Sequence, residues 1–474
     1  MANDYDLVVI GSGTGGYVAA IRAAQLGLKT ACVEKEAVLG GTCLNWGCIP
    51  TKALLEHAHA FKIAQQAKDW GLTIGDAPVG LDMGVVQARK DKIVKSLTDG
   101  IALLFKKNKV EWVKGTARLA GNGRVEVTNG GDKTMLTAKE ILVATGSSAR
   151  SVPGIEIDHK RIITSDDAIN MKAIPKSITV MGSGAVGVEF ASLFNRLGSQ
   201  VTLIELLPRI VPNEDEAVSA ELDKAFRRLK IKTLTGTKVT SAKPDANGVT
   251  VDAQLPDGKT EKITAEYLLV ATGRGPVTTS LGAEEAGLQF AKGYIKVDEL
   301  LRTNVKGISA VGDVITFDKP GRPHPQLAHL SSAEGILVAE RIAGQDVRPI
   351  NYDHVPACTY TDPEIGSVGL SEKAAQERGY DVRVGTFPFK ALARARIANE
   401  IEGFVKIVAE KRYDEVLGIH IIGPRATEVV AEATMCLRME CTVEELIRTI
   451  HAHPTMSEAV GEAAHATHGA AIHI

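Results

Sequence analysis

Two kinds of hydrophobic run alternate along this chain. Short unbroken apolar runs that end in glycine read as buried strands, and longer stretches with apolar residues three and four apart read as helices. Asp6 to Ile10 is such a strand; YVAAIRAAQLG follows as a helix, and KTACVEK is a second strand ending at Glu34. The succession returns as the strand SITVMG, the helix VEFASLFNRLG and the strand QVTLIE, which ends at Glu205. EILVATGS, at 140–147, is answered by YLLVATGR, at 267–274. Helical stretches from Thr51 to Asn108 occur only in the first half. Farther on, GISAVGD predicts a strand ending at Asp313, and HPQLAHLSSAEGILVAERIAG predicts a long helix. From Asn351 the strands DVRVGTFPF, GFVKIVAE and VLGIHIIG follow one another, and then a helix.

The turns between strand and helix carry the first chemistry. Gly11, Gly13 and Gly16 lie between the first strand and helix, and Gly182, Gly184 and Gly187 lie between their counterparts. In each copy the acidic strand end comes 23 residues after the first glycine. Glycines in this pattern permit a tight turn and let a pyrophosphate approach the positive end of the helix, while the carboxylate accepts hydrogen bonds from ribose hydroxyls. Two independent features repeated in the same order predict an α/β chain with two Rossmann-like dinucleotide-binding domains. Glu205 suits a free ribose 2'-hydroxyl and opposes a 2'-phosphate, which favours NAD, although Arg209 lies close by.

The first copy also holds GGTCLNWGCIPTK, from Gly40 to Lys52, with Cys43 and Cys48 five apart. In a continuous helix that spacing spans about 7.5 Å along the axis, beyond the usual disulfide reach, so a bond here needs a distorted helix start. Gly40, Gly41, Gly47 and Pro50 supply that freedom. Lys52, one turn after Cys48, can stabilise a thiolate. A metal site with His57 and His59 is the weaker reading, because no second close cysteine pair completes four ligands. Cys436 and Cys441 are also five apart, but they sit in EVVAEATMCLRMECTVEEL, an amphipathic pattern without Gly or Pro, and read as buried structural thiols.

Composition narrows the class. At 474 residues and 44% hydrophobic the chain can fill about three cores, and 55 basic against 57 acidic residues, a net charge of -2, oppose a nucleic-acid surface. Six cysteines do not make a secreted disulfide scaffold. The N-terminus enters a strand without a signal-peptide pattern, and no apolar run is long enough to predict a transmembrane helix. The expectation is a soluble enzyme of a reducing compartment, cytoplasmic in a bacterial type or in the mitochondrial matrix if a transit peptide was removed.

Taken together, the cysteine segment, both nucleotide motifs and the C-terminal HAHPTMSEA resemble the flavoprotein disulfide reductases, the class I pyridine nucleotide-disulfide oxidoreductases, over essentially the whole chain. Within them the likeness is greatest to the dihydrolipoamide dehydrogenase family. The resemblance implies an FAD-binding domain with the redox disulfide Cys43–Cys48 at 1–150, an NAD-binding domain at 151–276, a central segment that also contacts FAD at 277–349, and an α+β dimerisation domain at 350–474. FAD would be held by Gly11, Gly13, Gly16, Glu34, Lys52, Gly146, Asp313 at the ribityl chain, and Ala328 beside His329 near the ring. NAD would be held by Gly182, Gly184, Gly187, Glu189, Glu205 and Gly273. Glu189, which reads by itself as a helix-surface residue, would pair with Lys52. His453, oriented by Glu458, would be the base and would reach the disulfide of the other subunit of an obligate homodimer. No metal is implied.

The implied activity is oxidation of protein-bound dihydrolipoyl groups with reduction of NAD+, and the implied partners are the lipoyl domains of 2-oxo acid dehydrogenase or glycine cleavage complexes. The alternatives are a glutathione- or mercuric-reductase-like enzyme and a noncatalytic scaffold or subunit-binding protein. Glu205 stands where NADPH-linked glutathione reductases carry arginine, and HATHGAAIHI lacks the terminal cysteine pair of mercuric reductases. Ala185 is small where some relatives carry an aromatic gate.

Overall fold

The computed structural model describes residues 4–75, 78–317 and 324–474. The chain divides into two compact units, one of residues 1–54, 82–150 and 274–350, the other of 55–81, 151–273 and 351–474.

In the first unit a sheet runs in the order Glu111–Lys114, Thr30–Glu34, Tyr5–Ile10, Asp132–Val143, Arg124–Asn129, Thr116–Leu119, with Ile308–Ala310 added beside Asp132–Val143. Tyr5–Ile10 pairs in parallel with Thr30–Glu34, Val9 opposite Cys32, and with Asp132–Val143 on its other side. Leu7, Val8 and Val9 have no exposed surface, as a strand covered on both faces requires. The helices Thr14–Gln25 and Ala328–Ile342 pack closely, because a Cβ on Gly335 would stand 2.3 Å from the Gly15 carbonyl oxygen. Of the described residues from Thr51 to Asn108, the first unit holds the start of the helix Cys48–Gln65 and the helix Met83–Asn108, and the second unit holds the rest of the first helix and the short turn Ala67–Trp70.

In the second unit a parallel sheet runs Lys232–Leu234, Gln200–Ile204, Ser177–Met181, Tyr267–Val270, Ile162–Ile163. A three-stranded antiparallel meander, Lys238–Pro244, Val249–Gln254 and Thr260–Ala265, belongs to the same unit. A second, antiparallel sheet orders Ala357–Thr359, Glu364–Gly369, Val416–Gly423, Phe404–Glu410, Val382–Pro388. The helices Ala426–Arg438 and Glu458–Thr467 pack on it, and Gly366 and Gly385 leave room for them: a Cβ at either would lie 2.3 Å from a helix carbonyl oxygen.

One stretch departs from its pattern. EVVAEATMCLRMECTVEEL is two helices, Ala426–Arg438 and Val443–Arg448, because Glu440 takes a left-handed φ of 53° and Thr442 caps the second helix. Cys441 therefore lies beyond the helix that carries Cys436. Among the described residues no helix is long and apolar enough to cross a membrane.

Candidate active site

The two glycine turns superimpose in chemistry. Gly11 and Gly182 have φ of 98° and 99°, values open to glycine, and a Cβ on Gly16 or Gly187 would stand 1.9 Å from the carbonyl oxygen of Gly11 or Gly182. These glycines are demanded by the protein itself. Gly13 and Gly184 are not: φ is -63° and -65°, and an added Cβ would meet nothing within 4 Å. The lack of a side chain there serves close approach from outside, at helix ends that no side chain caps, so the residues fit a dinucleotide pyrophosphate.

The acidic strand ends are held alike. Ser12 donates from N–H and Oγ to Glu34 Oε2 at 2.9 and 2.7 Å, and the Glu36 N–H donates to Oε1 at 3.0 Å. Ser183 donates to Glu205 Oε2 at 2.8 and 2.7 Å, and the Leu207 N–H to Oε1 at 2.8 Å. Both carboxylates are buried. Neither serine stands out in the sequence, although each is the middle residue of a Gly-Ser-Gly. Arg209 donates to the carbonyl oxygens of Glu214 and Pro212, both at 2.8 Å, which engages its guanidinium locally.

Asp313 lies in the short turn Gly312–Val314, whose cap is Val311, so it is not a helix cap. Ser147 Oγ donates to its Oδ2 at 2.6 Å, and Arg274 in turn donates to Ser147 Oγ and O at 2.8 and 2.7 Å. Beside it, fully buried Glu334 accepts the Gly312 N–H at 2.7 Å and bonds His324 Nε2 at 2.7 Å. Ser147, Arg274, Glu334 and His324 were not singled out by sequence pattern. Gly146 and Gly273 take φ of 69° and 115°, and Ala328 opens the helix Ala328–Ile342.

The cysteine segment breaks as its glycines predict. Cys43 lies in the short helix Gly41–Asn45, whereas Cys48 is the first residue of Cys48–Gln65, with Lys52 one turn on. No disulfide bond joins the two. The hydrogen bond between Cys43 and Cys48, helped by burial, pushes the Cys43 thiol above the usual cysteine range, against the pull of Lys52 and of the Cys48 N–H on its sulfur. A thiolate at Cys48, the first residue of its helix, would lie at a helix N-terminus with Lys52 one turn on.

In the second unit, Glu189 is buried rather than on the surface, and its Oε1 accepts the Tyr360 N–H at 3.0 Å. His453 and Glu458 meet as a dyad, Nδ1 to Oε1 at 2.8 Å, and Glu458 Oε2 accepts the Thr455 N–H at 2.8 Å, fixing the carboxylate. They border a cavity of about 290 Å³ with Phe387, His451, His465 and His473. His451 Nε2 bonds Glu432 at 2.6 Å, a contact that raises its pKa. Among the described residues no three His, Cys, Asp or Glu are grouped to hold a metal ion.

A thiol pair in a dinucleotide-binding unit, a second dinucleotide-binding fold and a His–Glu dyad define a two-nucleotide thiol–disulfide oxidoreductase. Residues 5–335 match the model of the pyridine nucleotide-disulphide oxidoreductases, and residues 355–464 match the dimerisation domain of the same proteins. The chain belongs to the pyridine nucleotide-disulphide oxidoreductase family. It is 42% identical to the dihydrolipoyl dehydrogenase of Bacillus subtilis, covering 100% of both chains. It is 44% identical to the dihydrolipoamide dehydrogenase of Chaetomium thermophilum over 99% of this chain and 92% of that one. Among solved structures, LpdA from Mycobacterium tuberculosis superimposes with a TM-score of 0.87 at 27% identity, covering 97% and 98% of the two chains.

Proposed function

We propose that this chain is a dihydrolipoyl dehydrogenase that acts as a homodimer with FAD and NAD, oxidising dihydrolipoyl groups carried on the lipoyl domains of 2-oxo acid dehydrogenase or glycine cleavage complexes in the cytoplasm. The observation that carries the reading is the Cys43–Cys48 pair at a helix N-terminus inside a dinucleotide-binding unit. In the oxidised enzyme Cys43 and Cys48 are joined. His453, its Nδ1 held by Glu458, takes the proton of one substrate thiol at Nε2. The thiolate formed attacks Cys43, and Cys48 leaves as thiolate beside Lys52. The second substrate thiol then displaces Cys43, giving the cyclic disulfide product and the protein dithiol. Bound FAD supplies the two-electron link from the dithiol to NAD+. In this reading the base comes from the second copy in the dimer, as the dimerisation domain and the family resemblance support. Gly11, Gly13, Gly16, Glu34 and Asp313 hold FAD, and Gly182, Gly184, Gly187 and Glu205 hold NAD.

The test is flavin content of the purified protein, then NADH formation with dihydrolipoamide and with reduced glutathione. Turnover of dihydrolipoamide alone supports the reading. A flavin-free protein, or preferential use of glutathione, overturns it.

A further inference from the structure

Cys436 and Cys441 repeat the feature that makes the first pair reactive. In an unbroken helix their spacing would hold them about 7.5 Å apart along the axis, outside the disulfide range. The left-handed turn at Glu440 brings the chain back, so that the Cys441 N–H donates to the Cys436 carbonyl at 3.1 Å. The Cys441 carbonyl then accepts the Val416 N–H at 3.0 Å, which fixes the turn against the neighbouring strand. Cys441 packs against the cluster that buries Cys436. Cys436 is buried in the apolar cluster of Ala433, Leu437, Val443 and Leu446, while Cys441 is partly exposed at its edge.

We propose that Cys436 and Cys441 are a second redox-active pair, closed to an intramolecular disulfide by small linear disulfides of the glutathione type. The Cys441 thiol, the accessible one, loses its proton to solvent and attacks one sulfur of the oxidant. The oxidant's S–S bond breaks, a mixed disulfide forms at Cys441, and the first thiolate leaves and takes up a proton. Cys436 then loses its proton and attacks the Cys441 sulfur, expelling the second thiolate. Two protein thiols are oxidised to one disulfide, and one disulfide is reduced to two thiols. Burial, with the nearby Cys441 and Glu432, raises the pKa of Cys436, which assigns the first attack to Cys441. Through Glu432, which bonds His451, the pair borders the histidine segment without belonging to the dyad.

The sequence provides the assay. Trypsin cuts after Arg425, Arg438 and Arg448, leaving Cys436 on Ala426–Arg438 and Cys441 on Met439–Arg448. The flavin-loaded full-length dimer is treated with oxidised glutathione, free thiols are alkylated, and the digest is read by mass spectrometry. The expected result is the disulfide-linked pair of these two peptides, separated again by a dithiol. Cys436→Ser should stop at glutathione on Cys441, and Cys441→Ser should leave Cys436 alkylated. Both wild-type peptides remaining alkylated, while the peptides of Cys43 and Cys48 from dithiol-reduced enzyme become oxidised, would overturn the proposal. So would a glutathione adduct on Cys436 in the Cys441→Ser protein that forms as fast as the wild-type link. If either variant fails to fold, the wild-type digest decides alone.

Discussion

Gly13 and Gly16 are three residues apart in one turn, yet the structure gives their substitution by alanine opposite consequences. A methyl at Gly16 falls 1.9 Å from the Gly11 carbonyl oxygen, a backbone atom that cannot give way without moving the strand end or the helix. Overpacking of this kind costs about 1–3 kcal/mol where side chains can adjust, and a backbone clash lies at or beyond the upper end. Gly16→Ala should therefore lower the thermal stability of flavin-free protein. Gly13→Ala meets nothing within 4 Å and keeps an ordinary φ, so flavin-free stability should change by no more than about 1 kcal/mol, the cost of a poorer helix cap. Its methyl instead occupies the space a pyrophosphate needs. A loss of about 1–3 kcal/mol in binding is roughly 5- to 150-fold in affinity. Flavin retained after extensive dialysis, read by absorbance beside a thermal melt of the stripped protein, separates the two effects. Unchanged flavin affinity in Gly13→Ala, with the fold intact, would refute the argument that this glycine serves a ligand.

Four further outcomes are expected. Anaerobic addition of about one equivalent of dithiol should give a long-wavelength flavin band that Cys43→Ser keeps and Cys48→Ser loses, since Cys48 opens its helix one turn from Lys52; the reverse pattern exchanges the roles. Glu205→Ala should narrow the ratio of NAD to NADP turnover, and an unchanged ratio would remove Glu205 from the ribose site. Lys406 bonds both oxygens of buried Asp215 at 2.9 and 3.1 Å, so Lys406→Met should destabilise by about 3–5 kcal/mol at neutral pH. Burial raises the Asp215 pKa but the Lys406 bond and nearby positive charge leave it net lowered; its contribution is present above the unfolded value of about 4 and fades as pH falls through the folded one, so the gap between the melts of wild type and variant should close on acidification. Finally, mixed dimers of His453→Gln and Cys48→Ser chains should recover about half of wild-type activity if the two residues act across the dimer, because one site then collects both lesions; no recovery would place them in one chain.

The repeated strand–glycine–helix plan was legible because its causes are local: unbroken apolar runs, and glycines without which the turn clashes with itself. The break between Cys43 and Cys48 was legible for the same reason, through Gly47 and the glycines before it. What escaped lies in contacts between short polar side chains distant in sequence. Ser12 and Ser183 look like turn residues until their hydroxyls are seen on Glu34 and Glu205. Ser147 and Arg274 are 127 residues apart and act together on Asp313. Glu189 taken alone reads as a surface residue, because a helix position does not say what covers it, whereas the family resemblance puts it in the nucleotide site; it is buried. The turn at Glu440 has no glycine or proline to announce it; the two residues that follow its left-handed residue are held by pairings of Cys441 with Val416 and of Thr442 with Glu415.

The two carboxylates at the strand ends are held alike in both copies of the plan. An ionised carboxylate has about four lone-pair positions, and Glu34 and Glu205 each accept three hydrogen bonds from the protein, two on one oxygen and one on the other. That leaves room for a further donor on Oε1, which a ribose hydroxyl can fill. The protein bonds hold the carboxylate in place before the nucleotide arrives, so little is lost in ordering it on binding. A 2'-phosphate brings no donor when fully ionised and adds negative charge beside a buried anion, which the dielectric there does little to screen. Arg209 is the cation near enough in sequence to relieve that repulsion, and its guanidinium is bound to the carbonyl oxygens of Glu214 and Pro212. Turning it toward a phosphate would leave those carbonyls without that donor, so a basic residue four positions after Glu205 is not by itself a reason to expect NADP.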